Sequence, residues 1–308
     1  MRPLFLHGLI RLSRKSTRFP SRLSLKGVEY DRKMVIRGGY GDVYKGSWEG
    51  RAVAVKVARL YDESTRDKIL KSFSSEAVIW CNVNHENLVP FHGVYRPPGE
   101  DVTICLVSPW MDNGNINQYL QRYPNTNRLP LILDVARGLQ YLHTMKPAII
   151  HSDLKGDNIL MTASGKACIA DFGIAATRNG FMMNVFSCTQ TQSICGTLRW
   201  AAPEILADVP VDQPTQHTCM SDMHAFGCVC YQIYTGKVPY WETESFTTVL
   251  KHIMSGRGLV RPSRSECASR DLNDELWNFM AACWQLNPSG RPTASSAVDF
   301  LQSQQNQA

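Results

Sequence analysis

At 308 residues the chain can bury one large core or two smaller ones, and its 44% hydrophobic and 19% charged residues are ordinary for a globular protein. No apolar run reaches the ~18 residues of a membrane span, which argues against a transmembrane chain. The net charge of +6 sits in residues 1–28, where Arg2, Arg11, Arg14, Lys15, Arg18, Arg22 and Lys26 stand without an acid; they contribute +7 and leave −1 for the rest. A nearly neutral body lacks the basic footprint of a nucleic-acid binder, so no nucleic-acid partner is expected.

In chain order, residues 1–24 form a basic extension. Arg and Ser without acids is the composition of a mitochondrial transit peptide, but Leu4, Phe5, Leu6, Leu9, Ile10 and Leu12 cluster rather than forming a clean amphipathic stripe. The expectation is a disordered segment; mitochondrial targeting, or a weak contact with an import receptor or an anionic membrane, are the alternatives. From Val28 to Val57 apolar runs alternate with Gly-rich punctuation, as in antiparallel strands joined by tight turns. Ile69, Phe73, Ala77 and Trp80, three or four apart, predict a helix over 64–83. Short strands are predicted at 88–94 and 102–107, and Asn113-Gly114 supplies a break. Beyond it helical spacing dominates. Ile132, Val135, Ala136, Leu139 and Leu142 share one face, ended by Pro147, and further helices are predicted around 223–234, 246–254, 276–284 and 294–301. Residues 302–308 read as a frayed polar tail. The ten cysteines are scattered singly through apolar segments such as those of Cys105, Cys168 and Cys283, which fits reduced core thiols; Cys228 and Cys230 lack the spacing of a zinc site.

Four polar features need a chemical reason. Gly38, Gly39 and Gly41 lie between two strand-like runs, where missing side chains let a backbone approach phosphate oxygens, although any hairpin can carry glycines. Lys56 ends the apolar run Val53-Ala54-Val55, and an ammonium there needs an anion. His151-Ser152-Asp153-Leu154-Lys155-Gly156-Asp157-Asn158 sets charges and an amide between the apolar 148–150 and 159–161; such groups are costly unless paired, so the block marks a site more than a fold element. Asp171-Phe172-Gly173 follows another short apolar run and alone would be a commonplace turn.

Together these segments resemble the protein kinase domain, from about residue 25 to 302. Trp200 and Cys283-Trp284 are similar to its tyrosine-kinase-like group of serine/threonine kinases. The resemblance implies an α+β, bilobal fold: a small antiparallel β-sheet lobe with one main helix over about 25–111, a larger, mainly helical lobe over about 112–302, and a polar tail at 303–308. It implies ATP and Mg2+ as cofactors and Ser/Thr-bearing protein substrates. By resemblance Asp153 accepts the hydroxyl proton, Lys155 steadies the transferring phosphoryl group, Asn158 and Asp171 hold the metal, and Lys56, paired with Glu76, positions the nucleotide. The nucleotide would contact Ile36, Gly38, Gly39, Gly41, Val43, Ala54, Lys56, Pro109, Met111 and Leu160. Against the pattern G-x-G-x-x-G-x-V, Ile36 replaces the first glycine while Gly38, Gly41 and Val43 match. At the adenine edge Pro109 keeps its C=O as acceptor and Met111 its N–H as donor, with Ser108 as a small gatekeeper. Glu204 of Ala202-Pro203-Glu204 is expected to pair with Arg291, and Asp222 to support the backbone of the catalytic loop.

Ser152 stands where most kinases carry an Arg that faces an activation-loop phosphate, so activity is expected not to require phosphorylation there; Thr177, Ser187, Thr189, Thr191 and Ser193 are the hydroxyls of that segment. Lys155 and Thr197 resemble the serine/threonine type. Two other readings stay open. Ile36 and Ser152 favour a pseudokinase, a nucleotide-binding scaffold; a small-molecule phosphotransferase is disfavoured by Asp171-Phe172-Gly173, Ala202-Pro203-Glu204 and Arg291 together. The expected location is the cytoplasm or nucleus.

Overall fold

The computed structural model describes residues 3–16, 18–31, 36–37, 41–58, 63–99, 103–172, 176–177, 198–207, 217–263, 267 and 272–307. Packing divides the chain into two units, residues 1–112 with 171–175 and residues 113–170 with 176–308.

The first unit is an antiparallel sheet and two helices. Its strands are β1 (Glu29–Tyr30), β2 (Ile36–Arg37), β3 (Gly41–Trp48), β4 (Arg51–Ala58), β5 (Gly93–Tyr95) and β6 (Cys105–Pro109), in the order β1-β3-β4-β6-β5 with β2 also beside β3. Glu49 and Gly50, both at positive φ (50° and 74°), close the β3–β4 hairpin with a two-residue turn whose twist suits the strands. That turn sets a register in which Val43 faces Lys56 and Lys45 faces Ala54. Side chains alternate along a strand, so Val53 and Val55 of β4 meet Cys105 and Val107 of β6 and Val28 in one apolar cluster. Ala54 and Lys56 therefore share the opposite face with Val43. The expected strand at 88–94 forms only from Gly93; Pro90, with no N–H, cannot continue a ladder.

Helix α2 (Glu63–Trp80) belongs to this unit, and α1 (Pro3–Ser16) packs along it. The structure departs here from the expected disordered extension. Ile10 and Ser13 are buried and Leu9 is half-buried, whereas Arg11, Leu12 and Lys15 face solvent. Residues 9, 10, 13 and 16 lie on one helical face, so Leu9 and Ile10 share a packing surface with Ser13 and Ser16.

In the second unit α3 (Ile116–Arg122) and α4 (Arg128–Thr144) precede two small antiparallel pairs, β7 (Ile149–Ile150) with β10 (Ala176–Thr177), and β8 (Ile159–Met161) with β9 (Ala167–Ile169). There follow α5 (Pro203–Leu206), α6 (Cys219–Thr235), α7 (Phe246–Met254), α8 (Asp274–Cys283) and α9 (Ala294–Gln307). Helix α4 begins earlier than its apolar period suggests, because Asn127 Oδ1 caps it by accepting the Leu129 N–H at 3.0 Å. Helix α6 is buried from Ser221 to Thr235, opened by the Thr218/Ser221 capping box and closed by Gly236 at φ 69°. Residues 302–307 continue α9 rather than fraying: Gln304 is buried, donates to Glu275 and accepts from Asn273 Nδ2. Cys105, Cys168, Cys228, Cys230 and Cys283 are buried and form no disulfide. Among the described residues, no helix is long and apolar enough to cross a membrane.

Candidate active site

The register of β4 and the face of α2 bring the first charged cluster together. Lys56 Nζ donates to Glu76 Oε1 at 2.9 Å, to Glu76 Oε2 at 3.1 Å and to Asp171 Oδ1 at 2.6 Å. It also lies 5.5 Å from the ring centre of Phe73, on the same helix as Glu76. Burial opposes the Lys56 charge, but Asp171 and then Glu76 outweigh it and hold the ammonium well above its ordinary range. For Glu76 burial prevails: it pushes the carboxyl up to about 7, against the pull of Lys56 and aided by the like charge of Asp171. Both partners of one contact thus shift upward. The shared ammonium accounts for it, since Lys56 approaches Asp171 more closely and leaves Glu76 under-compensated. Asp171 adopts φ 64°, a left-handed backbone that an Asp tolerates at a cost on the order of 1 kcal/mol. Beside it Phe172 is fully buried, 5.7 Å from the ring of Trp80 on α2.

Other residues expected to contact a nucleotide lie in the first unit as follows. A Cβ on Gly41 would lie 2.5 Å from the Val57 carbonyl oxygen, so the close approach of β3 to β4 there requires glycine. Ile36 pairs with Val43 and is 50% exposed; Gly38 and Gly39 lie outside the described residues. At the end of β6 the Trp110 N–H donates to Ala52 O at 3.1 Å, while Val107 O accepts from His92 on the other side. Alternation therefore turns the Pro109 carbonyl away from β4. Among the described residues no hydrogen bond takes the Met111 N–H. Ser108 is buried opposite Ala54. Sequence spacing gave no sign of Lys45, whose ammonium sits 3.2 Å from Asp112 and 5.2 Å from the Trp110 ring centre.

In the second unit Asp222 organises the polar block at 151–158. Its two oxygens accept the His151 N–H at 2.8 Å and the Ser152 N–H at 2.9 Å, and His143 Nε2 lies 2.9 Å away. Burial presses the Asp222 carboxyl upward, but His143 and the Ser152 N–H hold it below its ordinary range. Ser152 is thereby kept at φ 73°. The replaced arginine removes a side chain, and the backbone still has its anchor. His151 Nε2 meets Ala170 O at 2.9 Å and its Nδ1 accepts the Asp153 N–H at 3.3 Å, which assigns the ring proton to Nε2. His151 already stood in the polar block singled out from the sequence, whereas His143 carried no signal beyond an ordinary helix end.

Asp153 is fixed through one oxygen. Lys155 Nζ donates to its Oδ2 at 2.9 Å and Asn158 Nδ2 at 3.1 Å, while Asn158 Nδ2 also reaches the Asp153 carbonyl at 2.7 Å. Oδ1 is buried and, among the described residues, has no hydrogen-bond partner. Leu160 is half-buried in β8. Within the second unit Asn158, with its amide nitrogen committed, keeps an amide oxygen of the kind a hard cation takes; within the first unit Asp171, Glu76 and Lys56 sum to one negative charge when all are ionised. Among the described residues no group of three or more His, Cys, Asp and Glu could hold a metal ion.

The expected Glu204–Arg291 pair forms in the second unit. Arg291 Nη1 and Nη2 donate to Glu204 Oε1 and Oε2 at 2.7 and 2.8 Å, and its other donors reach the carbonyls of Gln285, Met220 and Leu286. Against burial, the Arg291 hydrogen bonds hold the Glu204 carboxyl below its ordinary range. Of the activation-segment hydroxyls, Thr177 lies in β10; Ser187, Thr189, Thr191, Ser193 and also Thr197 are outside the described residues.

Comparison with known proteins agrees with this geometry. Residues 30–301 match the family described as the protein kinase domain. The probable serine/threonine-protein kinase drkD of Dictyostelium discoideum is 32% identical over 270 residues, 86% of this chain and 19% of that protein. The serine/threonine-protein kinase STY46 of Arabidopsis thaliana is 29% identical over 286 residues, covering 91% and 44%. The serine/threonine/tyrosine-protein kinase HT1 of the same plant is 29% identical over 272 residues, covering 86% and 63%. The chain spans less than two thirds of the length of each of these relatives. It belongs to the protein kinase family.

Proposed function

We propose that this kinase domain is an active enzyme that transfers the γ-phosphoryl group of ATP, with Mg2+, to serine and threonine hydroxyls of protein substrates. The observation that carries the reading is Asp153, whose Oδ2 is held by Lys155 and Asn158 while Oδ1 is left to accept a proton. The substrate hydroxyl gives its proton to Oδ1 as its oxygen bonds to the γ-phosphorus, and the bond to the β,γ-bridging oxygen breaks, leaving its electron pair on ADP. Lys155 steadies the charge on the moving phosphoryl group. Lys56, braced by Glu76, orients the α- and β-phosphates, and Asn158 and Asp171 would be the residues to hold the metal. Mg2+, when bound, supplies neutralisation of phosphate charge. The Pro109 carbonyl and the Met111 N–H serve the adenine edge. The names of the relatives, together with Lys155, support aliphatic hydroxyls as acceptors.

The test is phosphorylation of a degenerate Ser/Thr/Tyr peptide library with Mg-ATP, using the wild-type chain and Asp153→Asn. Turnover on Ser and Thr peptides should fall at least ~100-fold in the variant while ATP still binds. A wild-type chain that binds ATP and transfers nothing would instead be a nucleotide-binding scaffold.

A further inference from the structure

Helix α2 carries Glu76, and its residues Phe73, Ser74, Ser75, Glu76, Ala77, Val78, Ile79 and Trp80 are all buried. Eight consecutive residues turn through every face of a helix, so this one is covered on all sides and not only against its sheet. Part of that cover is α1, which packs along α2 and buries Ile10 and Ser13. The chain between the two is fastened to the sheet. Leu25 N–H donates to Val94 O at 2.8 Å, Ser24 bridges to Val94, and a Cβ on Gly93 would lie 2.5 Å from Leu23 O. Arg96 adds a cation–π contact with Phe19 at 5.4 Å. Glycine at 93 therefore makes room for the segment that delivers α1 to α2.

The contact is firm in its anchors and imperfect in its polar groups. Ser13 Oγ on α1 and Ser74 Oγ on α2 are buried and have no hydrogen-bond partner among the described residues. Buried unpartnered hydroxyls lower the free energy gained on docking, so this packing is weaker than an apolar one of the same area.

We infer that α1 is a positioning element for Glu76: by docking on α2 it fixes the helix that presents the carboxylate to Lys56, and so sets the enzyme's affinity for ATP. The inference rests on reading Lys56–Glu76 as the ATP-positioning pair. Residues 1–28, basic throughout, thus gain a role inside the domain, separate from any contact with an import receptor or a membrane.

The full chain with Ile10→Asp tests it. Its KM for ATP should rise about fivefold or more, with Ile10→Leu restoring the wild-type value and Leu12→Asp, on the exposed face of α1, leaving it unchanged. In a Glu76→Gln background the same Ile10→Asp change should alter KM less than about twofold, because both act through one carboxylate. Amide exchange across residues 63–80 should quicken in Ile10→Asp while exchange in α6 stays as in the wild type, and Ser13→Ala should slow it. Equal effects of Ile10→Asp with and without Glu76, or unchanged exchange in α2, overturn the inference. Should the wild-type chain transfer no phosphate, the function proposed above fails and the exchange measurement still decides this one. If Ile10→Asp does not fold, Ile10→Ala is read in the same way.

Discussion

Arg291 meets one carboxylate with two parallel hydrogen bonds and gives its remaining donors to three backbone carbonyls; Lys56 is a single ammonium held between two carboxylates. In the first cluster every charge is matched, and Glu204 is driven below its ordinary range despite burial. In the second the balance is left negative, Asp171 and Glu76 compete for one cation, and Glu76 is driven up. A pair that holds a fold together is best served by completeness. A cluster in which two carboxylates share one ammonium is served less by completeness than by the reserve of negative charge it keeps, the arrangement expected of groups that act on a ligand.

The sharpest way to break the comparison is to remove Arg291. Arg291→Met should cost ~3–5 kcal/mol in urea unfolding, since it leaves a largely buried carboxylate and three carbonyls without their donors. The KM for ATP of the folded protein should not change, because no donor of Arg291 touches the Lys56 cluster. A loss below ~1 kcal/mol would place this pair among weak surface bridges.

The two glutamates should also respond to pH with opposite sign. Glu76 has a folded pKa raised above its usual value near 4.5, so the stability it contributes is present below that value and is lost as pH rises toward about 7. Glu204 is depressed, so its contribution is present above the ordinary glutamate range and is lost as pH falls through its lowered folded value. Function runs against stability at Glu76, because only the ionised carboxylate braces Lys56. With a pKa of about 7, the competent fraction falls from about nine tenths at pH 8 to about one tenth at pH 6, and kcat/KM for ATP should fall about tenfold with it. The measurement is that profile in the wild type and in Glu76→Gln, which should be flat between those values. An unchanged slope in the variant would assign the titration elsewhere.

What could be read from the sequence divides along the same line. Lys56, Glu76, Asp153, Asn158 and Asp171 were singled out by their resemblance to the kinase pattern, and the structure gathers Lys56, Glu76 and Asp171 in one cluster and Asp153 and Asn158 in another. The β3–β4 hairpin and α2 were legible because apolar period and glycine punctuation act locally. The supporting groups were not. His143 looks like the end of a helix, and only its 2.9 Å approach to Asp222 shows that it helps hold the catalytic loop. The burial of α1 depends on a surface that α2 provides, and nothing within residues 1–24 announces it. Ser152 read as a gap in a motif, whereas its backbone N–H, bound to Asp222, keeps the anchor that the missing side chain does not supply.

The end of α9 gives the smallest effect and the finest test of completeness as the mark of a structural cluster. Polar composition alone made residues 302–308 a frayed tail. In the structure Asn273 caps α8 by accepting the Leu276 N–H at 2.8 Å, and its amide nitrogen donates to Gln304, which in turn donates to Glu275. Gln304 thus sets the orientation of a helix cap from a neighbouring helix, which a solvated glutamine would not do. Gln304→Ala should cost about 1 kcal/mol in urea unfolding and leave the KM for ATP unchanged. If the midpoint does not move, the last turn of α9 holds nothing in place, and the cap at Asn273 stands without it.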